Sequence, residues 1–174
     1  MPNVIIRPAR ADDADFLADM VVAAVNWSPS DAHWTRERVL ATRELAHYVV
    51  GWPRPGDFGV VALADGERAG AAWFREFPAD DPGYGFVRPG VPELTLAVTE
   101  PWRGRGVGRK LLHGLLAEAR ARGLSAVSLS VASGNRAARL YVQAGFRVVG
   151  ACGDSDTMLL TWPDNAPGRG AGPD

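Results

Sequence analysis

The segment Pro101–Leu112, PWRGRGVGRKLL, places three glycines and three arginines within seven residues and then becomes apolar. Glycines allow backbone N–H groups to approach a bulky anion because no Cβ intervenes. The preceding ELTLAVTE has the pattern of a strand and the following residues have helical periodicity, so the turn would precede a helix. Free N–H groups and the positive end of the helix dipole favour phosphate there. The segment therefore indicates a phosphate site, with an ordinary basic surface turn as the alternative.

The spacing of these residues excludes two common phosphate loops. A Walker A loop needs a serine or threonine after its lysine, but Lys110 is followed by Leu111. The dinucleotide fingerprint G-x-G-x-x-G would need glycine at position 109 or 111, where the chain has Arg109 and Leu111. The pattern that remains is Arg103-x-x-Gly106-x-Gly108.

This pattern resembles the pyrophosphate loop of the GCN5-related N-acetyltransferase (GNAT) superfamily, Q/R-x-x-G-x-G/A. The longer stretch LAVTEPWRGRGVGRKLL is similar to the central strand, loop and helix of that superfamily. Further along, VSLSVASGNRAARLYVQAGFRVVG is similar to its next segment, in which an asparagine opens a helix that carries a tyrosine. The resemblance covers roughly residues 93–150, and two linked motifs make chance agreement improbable.

The resemblance implies an α/β (α+β) fold, with a mixed, mostly antiparallel central sheet of six to seven strands and about four helices on its faces. Sequence periodicity and turn residues predict the elements: strands at 4–9, 93–100, 125–132, 146–152 and 157–162, helices at 12–25, 35–50, 107–123 and 136–145, and a hairpin at 57–77 turning at Asp65-Gly66. Strands ELTLAV and SAVSLSVA should be parallel because a helix crosses between them. We expect one domain over residues 1–162 and a disordered tail over 163–174, which has little to bury.

The same resemblance implies acetyl-CoA as the acetyl donor. Its pyrophosphate would lie on the backbone of the loop, and its pantetheine arm would pair with strand ELTLAV through backbone groups, one of which would polarise the acetyl carbonyl. The cofactor-binding residues so implied are Leu96, Ala97, Val98, Arg103, Gly104, Arg105, Gly106, Val107, Gly108, Arg109, Asn135 and Tyr141. We expect the backbone to contribute more than any single arginine side chain, because exposed ion pairs are weak.

Direct transfer to an amine needs one group to take a proton from the amine and another to protonate the leaving thiolate. The resemblance assigns the second role to Tyr141, whose alternative is an ordinary amphipathic tyrosine. It suggests Glu93 as a base acting through water, whose alternative is a solvated glutamate at a strand end. Glu100, Asp80 and Asp81 are weaker candidates for the base. Asn135 could be only a helix cap.

Composition limits the partners. With 19 basic and 20 acidic residues the net charge is −1, which argues against a nucleic-acid binder using RGRGVGRK. No apolar run is long enough to predict a membrane span, and one cysteine with three scattered histidines predicts no metal site and a cytoplasmic setting. The acceptor would be an amine of a small molecule or a peptide, and a homodimer is compatible with the resemblance. A noncatalytic acyl-CoA-binding or regulatory module is the alternative function.

Overall fold

The structure, a computed structural model, describes residues 2–29 and 33–163. The tail predicted at 163–174 lies outside the described residues apart from Pro163. The boundary between domain and tail therefore stays a prediction.

One seven-stranded sheet organises the chain, in the order β1-β2-β3-β4-β5-β7-β6. Its strands are β1 (Val4–Pro8), β2 (Phe58–Ala64), β3 (Glu67–Arg75), β4 (Glu93–Val98), β5 (Ala126–Ala132), β6 (Arg147–Cys152) and β7 (Ser155–Thr161). The helices are α1 (Ala14–Val25), α2 (Arg36–Ala41), α3 (Arg43–Ala46), α4 (Val107–Ala121) and α5 (Ala137–Ala144). The pair β4–β5 is parallel and the other pairs are antiparallel. The predicted mixed, mostly antiparallel sheet is confirmed.

Local sequence signals explain much of this order. The turn between β2 and β3 has Asp65 at φ 51° and Gly66 at φ 87°, the left-handed pair that a tight hairpin requires. Along α4 the apolar residues predicted to form one face are all buried: Val107, Leu111, Leu112, Leu115, Leu116 and Ala119.

The sheet separates two apolar layers. Helix α4 packs on one face, where Leu111, Leu112 and Tyr141 belong to the same buried cluster. On the other face α1, α2 and the turn after α3 bury Leu17 and Tyr48. The cluster to which a buried apolar residue of the central strands belongs therefore shows which face of the sheet it lies on.

The helix predicted over 35–50 is instead two short helices with a break at Thr42. Thr42 has φ −99° and ψ 108°, and its hydroxyl donates to the carbonyl of Arg38 at 2.8 Å. Buried Arg75 donates to the carbonyls of His47 and Val50 and pairs with Asp57. These side-chain hydrogen bonds satisfy the backbone carbonyls of the turn after α3, so the helix can end early without leaving those carbonyls unpaired. As a result Tyr48 lies against the sheet.

No helix within the described ranges has the length and apolar character needed to cross a bilayer. In the same ranges no group of three or more histidine, cysteine or acidic side chains is arranged to hold a metal ion.

Candidate active site

A gap opens in the middle of the sheet between β4 and β5. In the part of the chain that the structure describes, these strands are paired at Glu93 and Ser128 alone, where the Ser128 N–H donates to the carbonyl of Pro92 at 3.0 Å. Beyond that point β4 pairs only with β3. The N–H and C=O groups of successive residues point alternately to the two sides of a strand. Leu96 and Val98 are an even number of residues from Pro92, so their N–H and C=O groups point toward β5 and into the gap, as the Pro92 carbonyl does. The result is a free strand edge inside the sheet.

Ala97 lies between those two residues and differs from them. It is paired with Ala71 of β3, and its side chain is buried in the layer of α1. By the same alternation its backbone groups point toward β3, so any contribution of Ala97 to the gap comes through its neighbours.

The glycine-rich loop lies at the open end of this gap. Gly104 has φ 72° and Gly106 has φ 82°, and a Cβ at either position would meet nothing within 4 Å. Conformation, rather than space, therefore favours glycine at both positions. Within the described residues, no N–H group from Gly104 to Arg109 donates to a carbonyl, and Gly106 caps α4 without a side-chain bond. Six adjacent unpaired donors at a helix N-terminus are the arrangement that commonly binds anions in proteins.

The charged side chains within the loop, residues 103–109, are all basic. The first turn of α4 has no acidic residue. Each of the three arginine side chains contacts a neighbouring residue. The Arg103 Nε donates a hydrogen bond to the carbonyl of Val98 at 3.0 Å, and the Arg109 Nη2 donates one to Gln143 at 3.2 Å. The Arg105 guanidinium lies 5.3 Å from the centre of the Trp102 ring. The loop therefore combines a positive helix end with oriented cations.

Glu93 begins β4 with a side chain that is only 3% exposed. Its Oε1 accepts hydrogen bonds from the Tyr48 hydroxyl at 2.6 Å and from the Gly85 N–H at 2.9 Å. Its Oε2 has no hydrogen-bond partner among the described residues. Burial raises the pKa of Glu93 to about 7, although the two hydrogen bonds act in the opposite direction. The interpretation as a solvated glutamate is therefore wrong, and a carboxyl group that titrates near neutrality suits a proton acceptor.

Tyr141 of α5 approaches the sheet from the other layer. Its side chain is buried in the cluster that contains α4, and its ring meets Phe146 edge-on with centroids 5.8 Å apart. No hydrogen bond joins its hydroxyl to another residue in the ranges 2–29 and 33–163. Burial raises the pKa of Tyr141 above its ordinary value, so the phenol is protonated at neutral pH. Tyr141 and Glu93 consequently lie on opposite faces of the sheet, Tyr141 in the layer of α4 and Glu93 against Tyr48 in the other layer.

Asn135 has a local structural role at the start of α5. Its Oδ1 accepts a hydrogen bond from the N–H of Ala137 at 3.0 Å. The N-cap is Arg136, so Asn135 satisfies the first N–H of α5 from the residue before the cap, without being the cap itself. A contact with cofactor stays a prediction.

Comparison with known proteins decides the family. Residues 22–146 match the model described as the acetyltransferase (GNAT) family. The chain belongs to this family. Among curated proteins it is similar to the mycothiol acetyltransferase of Rhodococcus jostii (strain RHA1), with 35% identity over 140 residues that cover 78% of this chain and 42% of that protein. The chain thus spans less than half the length of that GNAT relative.

Solved structures agree with the GNAT fold. A ribosomal-protein-alanine N-acetyltransferase from Brucella melitensis is 26% identical, with a TM-score of 0.66 over 91% of this chain and 99% of that one. The yncA protein of Salmonella typhimurium, solved with its cofactor acetyl-CoA, is 24% identical, with a TM-score of 0.64 over 94% and 96% of the two chains. The second likeness supports the fold alone.

Tyr48 contacts the candidate base Glu93, and the sequence did not reveal this. Its hydroxyl donates to Glu93 and accepts from the N–H of Tyr84 at 2.7 Å. Burial and the neighbouring carboxyl raise the pKa of Tyr48 above its ordinary value, so it acts as a hydrogen-bond donor at neutral pH. Tyr48 and Glu93 are 45 residues apart in sequence, and no short-range pattern connects them.

The loop between β3 and β4 covers the Glu93 carboxyl through two glycines. A Cβ at Gly83 would collide with Oε2 of Glu93, and one at Gly85 would lie 2.5 Å from the carbonyl carbon of Leu129 on β5. The loop predicted from its proline, glycine and aspartate content is thus a tight lid. Its Asp81 lies 3.4 Å from both Arg43 and His47, so its carboxylate already has partners at the loop's base.

Replacing Gly85 by alanine should destabilise the lid. The added Cβ would press on the β5 backbone, and overpacking of this kind costs about 1–3 kcal/mol. We expect urea denaturation to show that loss for Gly85→Ala and almost none for Gly150→Ala, where a Cβ meets nothing within 4 Å. Equal stability of the two variants would show that the lid does not rest on β5.

Proposed function

We propose that this chain transfers an acetyl group from acetyl-CoA to an amine of a small molecule or a peptide, in a reducing cytoplasmic setting. The observation that carries the proposal is the free edge of β4 opening onto six unpaired N–H donors at the start of α4. Extended ligands with a diphosphate at one end fit that combination, because a strand edge pairs with an extended arm and the loop binds the anion. The names of the GNAT relatives support the same activity.

The unpaired backbone groups of the loop and of β4 match the diphosphate and the extended arm of acetyl-CoA in chemistry. The N–H groups from Gly104 to Arg109 would hold the pyrophosphate, and the backbone of Leu96 and Val98 would hold the pantetheine arm. Acetyl-CoA supplies an activated thioester. The β4 N–H groups at the gap would face the acetyl oxygen, and each preorganised donor of this kind contributes about 3–4 kcal/mol to catalysis.

Proton transfers are assigned to the two buried groups. Ionised Glu93 would accept the proton of the incoming ammonium through a water molecule, because its carboxyl is almost fully buried beneath the loop that contains Gly83 and Gly85. Tyr48 would hold Oε1 by its hydrogen bond, which leaves Oε2 to receive the proton. Tyr141 would donate its phenolic proton to the departing sulfur. The ammonium thus gives one proton to Glu93 before it attacks, and the C–S bond breaks as the new C–N bond forms. The thiolate takes the proton of Tyr141, and the phenolate so formed takes the second proton from the amide nitrogen.

The alternative, a noncatalytic acyl-CoA-binding module, would need the loop but neither Glu93 nor Tyr141. A buried carboxyl with a pKa of about 7 favours the enzyme, because such groups cluster at catalytic sites. Incubating the chain with acetyl-CoA and a panel of amines distinguishes the enzyme from the noncatalytic module. Transfer is measured as release of the coenzyme A thiol and as the mass of the acetylated amine. Tight binding of acetyl-CoA without transfer to any amine in the panel would favour the module.

The loop glycines offer a matched test of the donor site. Gly106→Ala should weaken acetyl-CoA binding at least about tenfold in calorimetric titration, because a left-handed residue with a Cβ costs roughly 1–2 kcal/mol and the loop would relax. Gly108 is helical, and its Cβ would make ordinary contacts with Leu140, Val98 and Leu96 at 3.6–3.8 Å. Gly108→Ala should therefore bind within about threefold of the unaltered chain. Equal losses in both variants, with the fold intact by circular dichroism, would contradict the role of the left-handed turn.

A further inference from the structure

We propose that Ser128 of β5 is a positioning residue for the proton transfer, and that its hydroxyl holds the water molecule through which Glu93 takes the proton of the amine. The inference rests on the proposed function and deepens it, because that function needs such a water molecule and does not say what holds it. It also gives a role in the chemistry to a strand that the proton transfers described above do not use.

Ser128 lies beside Glu93 at the one point where β4 and β5 pair in the described part of the chain. Its N–H donates to the carbonyl of Pro92, the residue before Glu93, at 3.0 Å. Side chains alternate between the two faces along a strand, and directly paired residues share a face. The strand neighbours of the two residues are all buried in the layer of α4: Leu94, Val127 and Leu129. Ser128 and Glu93 therefore both project into the opposite layer.

Both side chains carry a buried oxygen that no residue of the described ranges 2–29 and 33–163 satisfies. Ser128 is fully buried, and its Oγ makes no hydrogen bond there. The same is true of Oε2 of Glu93. Buried hydroxyl and carboxyl oxygens are normally paired with protein or with ordered water, because an unpaired one is costly. Two such atoms on paired residues indicate a shared partner, and a water molecule, which bonds about two to four polar groups, suits that place.

The loop between β3 and β4 covers this pair of residues. The Gly85 N–H donates to Oε1 of Glu93 at 2.9 Å, and a Cβ at Gly85 would lie 2.7 Å from the N atom of Ser130, two residues after Ser128. Gly85 therefore spans the distance from the carboxyl to the backbone of β5. Tyr48 also donates to Oε1, so of these neighbours Ser128 is the one whose donor remains for a bond on the side of Oε2.

The position of the water molecule suits a proton relay. Strands β4 and β5 separate just beyond Glu93 and Ser128, so the water would lie at the closed end of the gap, where the amine would meet the acetyl group. The ammonium would give a proton to the water oxygen while the water gives one of its own protons to Oε2. The water is then unchanged, and Glu93 is protonated. The Ser128 hydroxyl would donate a hydrogen bond to the water oxygen throughout and lose no proton.

Titration of the Glu93 carboxyl by ¹³C NMR tests this arrangement without any donor or acceptor, and Glu93→Gln identifies the resonance by its loss. A hydrogen-bond donor that acts on the carboxylate through water favours its ionised form. The midpoint of the titration should therefore rise by about half a pH unit or more in Ser128→Ala. Ser128→Cys, which has a weakly donating thiol in place of the hydroxyl, should shift the midpoint in the same direction and serves if Ser128→Ala is unstable.

Thr157→Val is the matched control for this titration. Thr157 is buried on β7 and pairs with Ser130, so its side chain lies on the same face as that of Ser128 but one strand farther from Glu93. The variant removes a buried hydroxyl and keeps the shape of the side chain. The Glu93 midpoint should be unchanged in it.

Amine acetylation provides the second test. Ser128→Ala should lower kcat/KM about tenfold, less than Glu93→Gln does, because the carboxylate remains while its water molecule is no longer held in place. Affinity for acetyl-CoA should stay within about twofold. When Glu93→Gln has already removed the base, adding Ser128→Ala should lower kcat/KM by less than about twofold more, because the two residues act on one step.

An unshifted Glu93 midpoint in Ser128→Ala, or an equal shift in Thr157→Val, would overturn the inference and leave the proposed function standing. A tenfold loss that recurs in the Glu93→Gln background would also overturn it, because the hydroxyl would then support the fold rather than act through Glu93. Absence of acetyl transfer by the unaltered chain would overturn the proposed function and the relay together, whatever the NMR titration shows.

Discussion

Glu93→Gln is expected to lower kcat/KM for amine acetylation by about 10²- to 10⁴-fold, the usual contribution of a positioned general base. Glutamine keeps the shape of the side chain and an acceptor for Tyr48 and Gly85, so the lid should stay closed. Affinity for acetyl-CoA, measured by calorimetry, should change by less than about twofold, because Glu93 lies away from the loop. Glu100→Gln is the matched control, because Glu100 is exposed just beyond the end of the same strand.

The pH dependence of this variant gives a second readout. Since the pKa of Glu93 is about 7, kcat/KM of the unaltered chain should rise with pH through that value as the base ionises. The Gln variant should lack this component, although any ionisation of the acceptor amine itself would remain in both profiles. Identical pH profiles and rates for the two proteins would exclude Glu93 as the base.

Stability should depend on pH with a definite sign. The folded pKa of Glu93 is raised from 4.5 to about 7, so the folded chain binds this proton more tightly than the unfolded chain does. The free energy of unfolding should consequently fall as pH rises from about 4.5 to 7, by up to about 3 kcal/mol from this group. Glu93→Gln should not show that fall in urea denaturation. The same slope in both proteins would place the titrating group elsewhere.

Tyr141→Phe should lower kcat by about 10²- to 10³-fold, because the leaving sulfur would lose its proton donor. Phenylalanine keeps the edge-on contact with Phe146, and the hydroxyl makes no hydrogen bond to the residues that the structure describes. The circular dichroism spectrum and the thermal unfolding temperature should therefore be almost unchanged. Acetyl-CoA affinity should also be kept within about twofold. An unchanged kcat would assign the role of the acid to another group. Loss of both acetyl-CoA binding and the folded circular dichroism spectrum would show that Tyr141 has a structural role instead.

The sequence predicts the conformation of the glycine-rich loop and the helix after it well, because the signals are local. Glycines that need left-handed backbone, arginines beside them and an apolar stripe along α4 are all contained in one continuous segment. The hairpin at Asp65-Gly66 was predictable for the same reason. Each of these features depends on residues within a few positions of one another, and the structure places them as the pattern indicates.

Glu93 shows where local reasoning ends. Its burial and raised pKa depend on Tyr48 and on the lid at Gly85, which reach it from separate segments. Tyr48 in turn faces the sheet because the predicted helix breaks at Thr42 and because Arg75, on another strand, holds the following turn. Helical periodicity continues through that region, so only the tertiary hydrogen bonds reveal the break.

Amide hydrogen exchange with and without coenzyme A tests the central claim most directly, since it needs no knowledge of the acceptor. The N–H groups from Gly104 to Arg109, and those of Leu96 and Val98, have open access to a ligand in the gap. We expect their exchange to slow markedly when coenzyme A is added, while the N–H groups of β1 and β2 stay unchanged. Binding of coenzyme A that leaves the loop and the β4 edge exchanging as before would contradict the placement of the donor site.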